Sequence, residues 1–163
     1  HIFEHEKLNA IGNQEYDLSR KWFYDPKTKD NVETLRKHIV NYYINICKAK
    51  TLECLWTTFD ETVPLLKSKG YARSYISLNS QNINLENNHR ENRKYLVYAC
   101  NNFYPTTKTP IAGVDEDGYA LSEMLQFIWR SAIRDGKEIW LYIPSIRMRT
   151  LLKQWIESNS NGE

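Results

Sequence analysis

Apolar residues in this chain recur with two periods, and those periods predict its elements. Val32, Leu35, Ile39, Tyr42, Tyr43 and Ile46 return every three or four positions, which predicts a helix over residues 31–48. Asp30 stands where an N-cap is expected, and Glu33 three residues later completes a capping-box pattern. A second amphipathic run, Leu121, Met124, Leu125, Ile128, Trp129 and Ala132, defines one wide apolar face on a helix that Gly136 ends. A last helix follows Ser145 as cap, with Leu151, Leu152, Trp155 and Ile156 as its apolar members. Between these helices, "TLECLWTTF" (51–59), "YARSYISLN" (71–79) and "EIWLYI" (138–143) read as strands rich in aromatic and β-branched residues.

The remaining segments are less regular. "YDLSRKWFYD" (16–25) is expected to hold a short strand. Asp60 is placed to cap a short helix over "ETVPLLKSK", with Pro64 in its first turn and Gly70 at its end. A helix over 91–103 is expected after an Asn-rich loop, and 104–118 is the longest irregular stretch. Strands alternating with helices predict a three-layer α/β domain with a mainly parallel sheet. Residues 1–163 read as one domain, with 1–28 and 157–163 peripheral. A chain of 163 residues is long enough to bury a substantial core.

Composition changes this picture little. The chain is 41% hydrophobic and 26% charged, an ordinary globular balance, and its net charge of +2 announces no partner by itself. Charges interrupt every apolar run well short of the ~20 residues of a membrane span, so no membrane partner is expected. Three widely spaced cysteines, Cys47, Cys54 and Cys100, fit free thiols in a reducing cytoplasm.

Candidate chemistry centres on "QFIWRSAIRDG". On one helix, Gln126, Arg130 and Arg134 would stand in file at four-residue intervals. A solvated helix face explains such a row about as well as a ligand does. The ligand reading rests on the guanidinium, a planar, permanently charged fork that suits phosphate. Other candidates are basic His89, Arg90, Arg93 and Lys94, acidic Asp115, Glu116 and Asp117, and Arg147 at the start of the last helix. Asp135, Lys137 and Glu138 are the nearest approach to a metal-dependent nuclease constellation, and His1 and His5 lie at an end expected to fray.

The run "ALSEMLQFIWRSAIRDGKEIWLYIPSIRMRTLLKQWI" resembles the last conserved block of superfamily 2 helicases, and more closely the C-terminal part of helicase-like proteins of phages and bacterial mobile elements. "CLWTTFDETVPLLKSKGY" and "SYISLNSQNIN" are similar to upstream units of that family, so the resemblance spans residues 30–157. It implies a RecA-like lobe, with Gln126, Arg130 and Arg134 facing ATP and Mg2+ held by an N-terminal lobe absent from this chain. It also implies DNA or RNA contacts from the loop carrying Asn79, Ser80, Asn82 and Asn84, joined by Arg90, Arg93 and Lys94. The family's motif spaces its arginines three apart behind a glycine. Here they are four apart behind Trp129, which leaves open whether Arg130 or Arg134 is the arginine finger. No G-x-x-x-x-G-K-[ST] occurs, so this chain alone is expected to bind no nucleotide cofactor and to hydrolyse no ATP. The alternative is a stand-alone nucleic-acid-binding or interaction domain of a mobile element without catalytic activity.

Overall fold

Three short parallel strands form the centre of the computed structural model, which describes residues 1–78, 89–104 and 115–162. They are β1 (Cys54–Thr57), β2 (Tyr95–Tyr98) and β3 (Trp140–Tyr142), in the order β1-β2-β3. Cys54 pairs with Tyr95 and Tyr95 with Trp140, and the register continues stepwise along both pairs. A parallel bridge from Tyr75 to Trp56 extends one edge, and one from Ile2 to Leu141 extends the other. Helices α1 (Arg20–Tyr24), α2 (Lys29–Asn41), α3 (Val63–Leu66), α4 (Glu116–Ile128) and α5 (Ile146–Ser160) flank the sheet, as expected for an α/β domain with a mainly parallel sheet.

Side chains alternate between faces along a strand, so each register row shares a face. Trp56, Val97 and Tyr142 lie on the face covered by α2 and its π-helical extension Tyr42–Ile46. There the Tyr42 and Tyr142 rings stand 5.2 Å apart, and Trp56 meets Tyr71 edge-on at 5.4 Å. Leu55, Leu96, Tyr98 and Leu141 lie on the opposite face, where Tyr98 packs on Phe127 of α4 at 5.5 Å. Burial on both faces explains why β1 and β2 do not alternate apolar with polar residues: only Thr57 is polar among them, and its hydroxyl donates to Ile76 O at 2.7 Å.

Four buried rings on the first face place their polar tips on backbone carbonyls. Tyr42 donates to Trp140 O at 3.0 Å, Tyr43 to Leu55 O at 2.9 Å, Tyr71 to Leu66 O at 2.6 Å and Trp56 Nε1 to Tyr71 O at 2.9 Å. Burial pushes the Tyr43 hydroxyl well above its ordinary titration range, so the ring stays a neutral donor. The three cysteines are free thiols, and burial pushes Cys54 and Cys100 up to about 12.

Several expectations are corrected. Residues 91–103 hold β2, not a helix: the run Leu96–Tyr98 is buried in the strand between the other two, a position no helix can take. Residues 20–24 are helical, because Ser19 accepts the Trp22 amide at 3.2 Å and nucleates a turn. Asp30 lies in the first turn of α2 rather than capping it, and Phe59 rather than Asp60 precedes the 3-10 turn Asp60–Thr62. Of the strand expected over 71–79, the described residues 71–78 hold one bridge residue, Tyr75. The N-terminal segment is part of the sheet edge: Leu141 N donates to His1 O at 2.8 Å and Phe3 N to Leu141 O at 2.7 Å. Farther along, Gly12 at φ +103° accepts the Ile146 amide at 2.9 Å, and a Cβ there would strike the Pro144 carbonyl. α5 starts where expected, with Ser145 Oγ accepting Met148 N at 3.3 Å.

Candidate functional site

The helix carrying the expected row of Gln126, Arg130 and Arg134 stops at Ile128. Ser131 breaks it. Its backbone is extended, its Oγ donates to Ile128 O at 2.6 Å, and the same Oγ accepts the Ile133 amide at 3.4 Å. A separate 3-10 turn, Ala132–Asp135, follows and closes on Gly136 at φ +74°. Ala132 N donates to Arg93 O at 3.0 Å, which ties this turn to the start of β2. The single rod expected over 119–135 is thus two pieces, since a hydroxyl that caps its own following turn competes with continued helix.

The three polar residues nevertheless line one open groove of about 670 Å³. Its apolar walls come from Leu121, Leu125 and Trp129 of the α4 segment, Ile133 of the turn and Trp155 of α5. Ser122, Gln126, Arg130 and Arg134 supply the polar lining, and no carboxylate lines it among the described residues. Arg130 is half-buried and donates to Ser77 O at 3.2 Å, so it ties the groove to the sheet edge carrying Tyr75. Arg134 and Gln126 are exposed, and neither side chain has a hydrogen-bond partner among the described residues. Trp129 and Trp155, assigned from their spacing to helix core faces, are 57% and 42% exposed.

The remaining candidates are drawn into the fold. Arg90 makes two bonds to Asp135, at 3.2 and 3.0 Å, and this pairing holds the Asp135 carboxyl below its ordinary range. Arg93 donates to Cys54 O at 2.7 Å, and desolvation lowers its guanidinium from the usual value. Lys94 pairs with Glu53 at 3.1 Å. The expected basic cluster is therefore a set of straps around the entry to β2. Asn79, Ser80, Asn82 and Asn84 lie outside the described residues. Arg147 reaches Asn101 Oδ1 at 2.8 Å, Asn102 O at 2.5 Å and Asp117 at 3.0 Å. It also lies 4.1 Å over the Phe103 ring, so it pins the segment after β2 to the start of α5. Asp135, Lys137 and Glu138 point to three different partners: Arg90, the Glu91 carbonyl and His1. Among the described residues no group of three or more His, Cys, Asp or Glu side chains is placed to hold a metal ion. No helix among them is long and apolar enough to cross a membrane.

Residues 1–156 match the family model of the YonV C-terminal Rossmann-like domain. The chain belongs to that family. A relative, the SPbeta prophage-derived uncharacterized protein YonV of Bacillus subtilis (strain 168), is 42% identical over 158 residues. That alignment covers 93% of this chain and 37% of the relative, so the domain spans little more than a third of that protein's length. No solved structure matches. The family description names the fold found here: a parallel sheet flanked by helices.

Proposed function

We propose that this domain is a non-catalytic nucleic-acid-binding module of a longer phage-derived protein, working on DNA or RNA in the bacterial cytoplasm. The groove beside α4 carries the reading. Its polar lining among the described residues holds two guanidinium groups, an amide and a hydroxyl and includes no carboxylate, in a chain whose acids and bases otherwise nearly cancel. Such a lining favours phosphate. Fluorescence anisotropy with labelled oligonucleotides tests it. Binding is expected to weaken with salt, and Arg134→Gln is expected to reduce the slope of log affinity against log salt by roughly one, the share of one phosphate contact. A native protein that binds no nucleic acid at low salt ends the proposal.

A second reading is the arginine-supplying lobe of a nucleic-acid-dependent ATPase. It is favoured by Arg134, which stands on a turn beside a parallel sheet and whose side chain has no hydrogen-bond partner among the described residues. In this reading Arg134 or Arg130 stabilises charge on a phosphoryl group, and Gln126 orients a water or phosphate, while ATP and Mg2+ belong to another lobe. Arg134→Ala in the full-length protein is then expected to cut nucleic-acid-stimulated ATP hydrolysis by roughly 10³-fold or more. Unchanged hydrolysis in both the Arg134→Ala and Arg130→Ala variants removes the reading.

A further inference from the structure

We propose that the groove takes a single-stranded polynucleotide, with bases stacked on the Trp129 and Trp155 rings and a phosphate on Arg134. This rests on the nucleic-acid reading and adds the form of the substrate and the residues that read it.

Both indoles line the groove and stand substantially exposed. Neither ring stacks on another ring, and neither indole N–H has a protein partner, among the described residues. Elsewhere the fold treats such groups differently: Trp56 is sealed and bonded to Tyr71 O, and Trp140 is stacked on His1 and packed at a tilt against Tyr95. Two large rings left open beside an apolar floor of Leu121 and Leu125 offer flat faces for ligand rings. The cationic end of the groove sets the charge of that ligand. An apolar peptide would use the rings and leave Arg134 and Gln126 idle. A duplex would use the arginines, but its base faces are already covered by their neighbours. A single strand uses both, since each nucleotide brings one π-face and one phosphate. Arg130, anchored on Ser77 O, holds the groove's end against the sheet rather than reaching out.

The experiment uses the intact chain with fluorescein-labelled oligo(dT) and oligo(U) of roughly 15 nucleotides, read by anisotropy and by quenching of intrinsic tryptophan emission. Trp129→Ala and Trp155→Ala are each expected to weaken binding by about tenfold, the loss of one stacked base. Trp129→Phe and Trp155→Phe are expected to retain most of the affinity. Quenching is expected in the native chain and lost in the double alanine variant, although Trp22, Trp56 and Trp140 remain in both. A duplex of the same length is expected to bind at least about tenfold more weakly. If the double alanine variant binds the strand like the native chain while Arg134→Gln does not, stacking is refuted and the nucleic-acid function stands. Equal affinity for duplex, or displacement of the strand by an equal concentration of ATP, also refutes the inference. If the native chain binds no oligonucleotide, the function and the inference fall together.

Discussion

Trp56 and Trp129 carry the same side chain to opposite ends of the exposure scale, at 0% and 57%. Around Trp56, the first face of the sheet gathers Tyr42, Tyr43, Tyr71 and Tyr142 into a layer where every hydroxyl donates to a backbone carbonyl. Around Trp129, the groove leaves two indoles, an amide and a guanidinium without hydrogen-bond partners among the described residues. A buried ring contributes packing and must satisfy its polar tip, because an unpaired donor costs about 1–3 kcal/mol. A ring at the surface contributes less to packing and keeps a face available to a ligand. The contrast separates the aromatic residues that hold the fold from those available for binding.

Substitutions that treat the two regions alike test this division. Trp56→Ala is expected to cost about 3–5 kcal/mol in urea unfolding, the loss of a fully buried ring and its cavity. A cost near zero would mean that the layer is not close-packed. Tyr43→Phe keeps the ring and removes only the bond to Leu55 O, so about 1 kcal/mol is expected from the same measurement. Trp129→Ala is expected to shift stability by less than about 0.5 kcal/mol, within the range of ordinary surface changes. A loss comparable to that of Trp56→Ala would place Trp129 in the core in solution.

Protons offer a finer probe of the same division. His38 of α2 is buried, its Nδ1 has no hydrogen-bond partner among the described residues, and desolvation chiefly lowers its pKa, with Lys7 and His5 adding to the shift and Leu8 opposing it. The unfolded chain therefore takes up this proton more readily than the folded one. Its contribution to stability is complete above the ordinary value of 6.5 and is lost as pH falls through the lower folded value. The paired carboxylates Glu4, Glu33, Glu53 and Glu61 have pKa values lowered from 4.5, so they act in the same direction at more acid pH. A mild loss of thermal stability between pH 6.5 and 5 is expected, and His38→Gln is expected to flatten it. Oligonucleotide affinity, resting on guanidinium groups that stay charged, is expected to hold constant over that window. A parallel loss of binding at unchanged fold would show that a titrating group serves the groove.

Much of the fold was legible because local physics chose it. Ser145 caps α5 through its own hydroxyl, and the apolar spacing of Leu121, Met124, Leu125 and Ile128 describes a helix face that does pack inward. β2 was misread, although its signal was present: "YLVYAC" is a short apolar run bounded by polar residues, the mark of a buried strand. The break after Ile128 also had a local sign, since Ser131 followed by "AIRDG" is a cap before a short turn. Nothing local announced that Ile2 would pair with Leu141, or that Arg90 would spend its charge on Asp135.

For the candidate site the division is similar. The sequence placed Gln126, Arg130 and Arg134 in one neighbourhood, and their chemistry made phosphate the natural ligand. Only the folded chain broke their rod at Ser131, turned Arg130 back to Ser77 and brought Trp155 from α5 across to Trp129. By itself the sequence determined which segments are apolar on one side and where helices start, because backbone and neighbouring side chains decide these within a few residues. Tertiary structure decided which rings are covered and which charges are cancelled, because both depend on partners that the chain brings together from dozens of residues away.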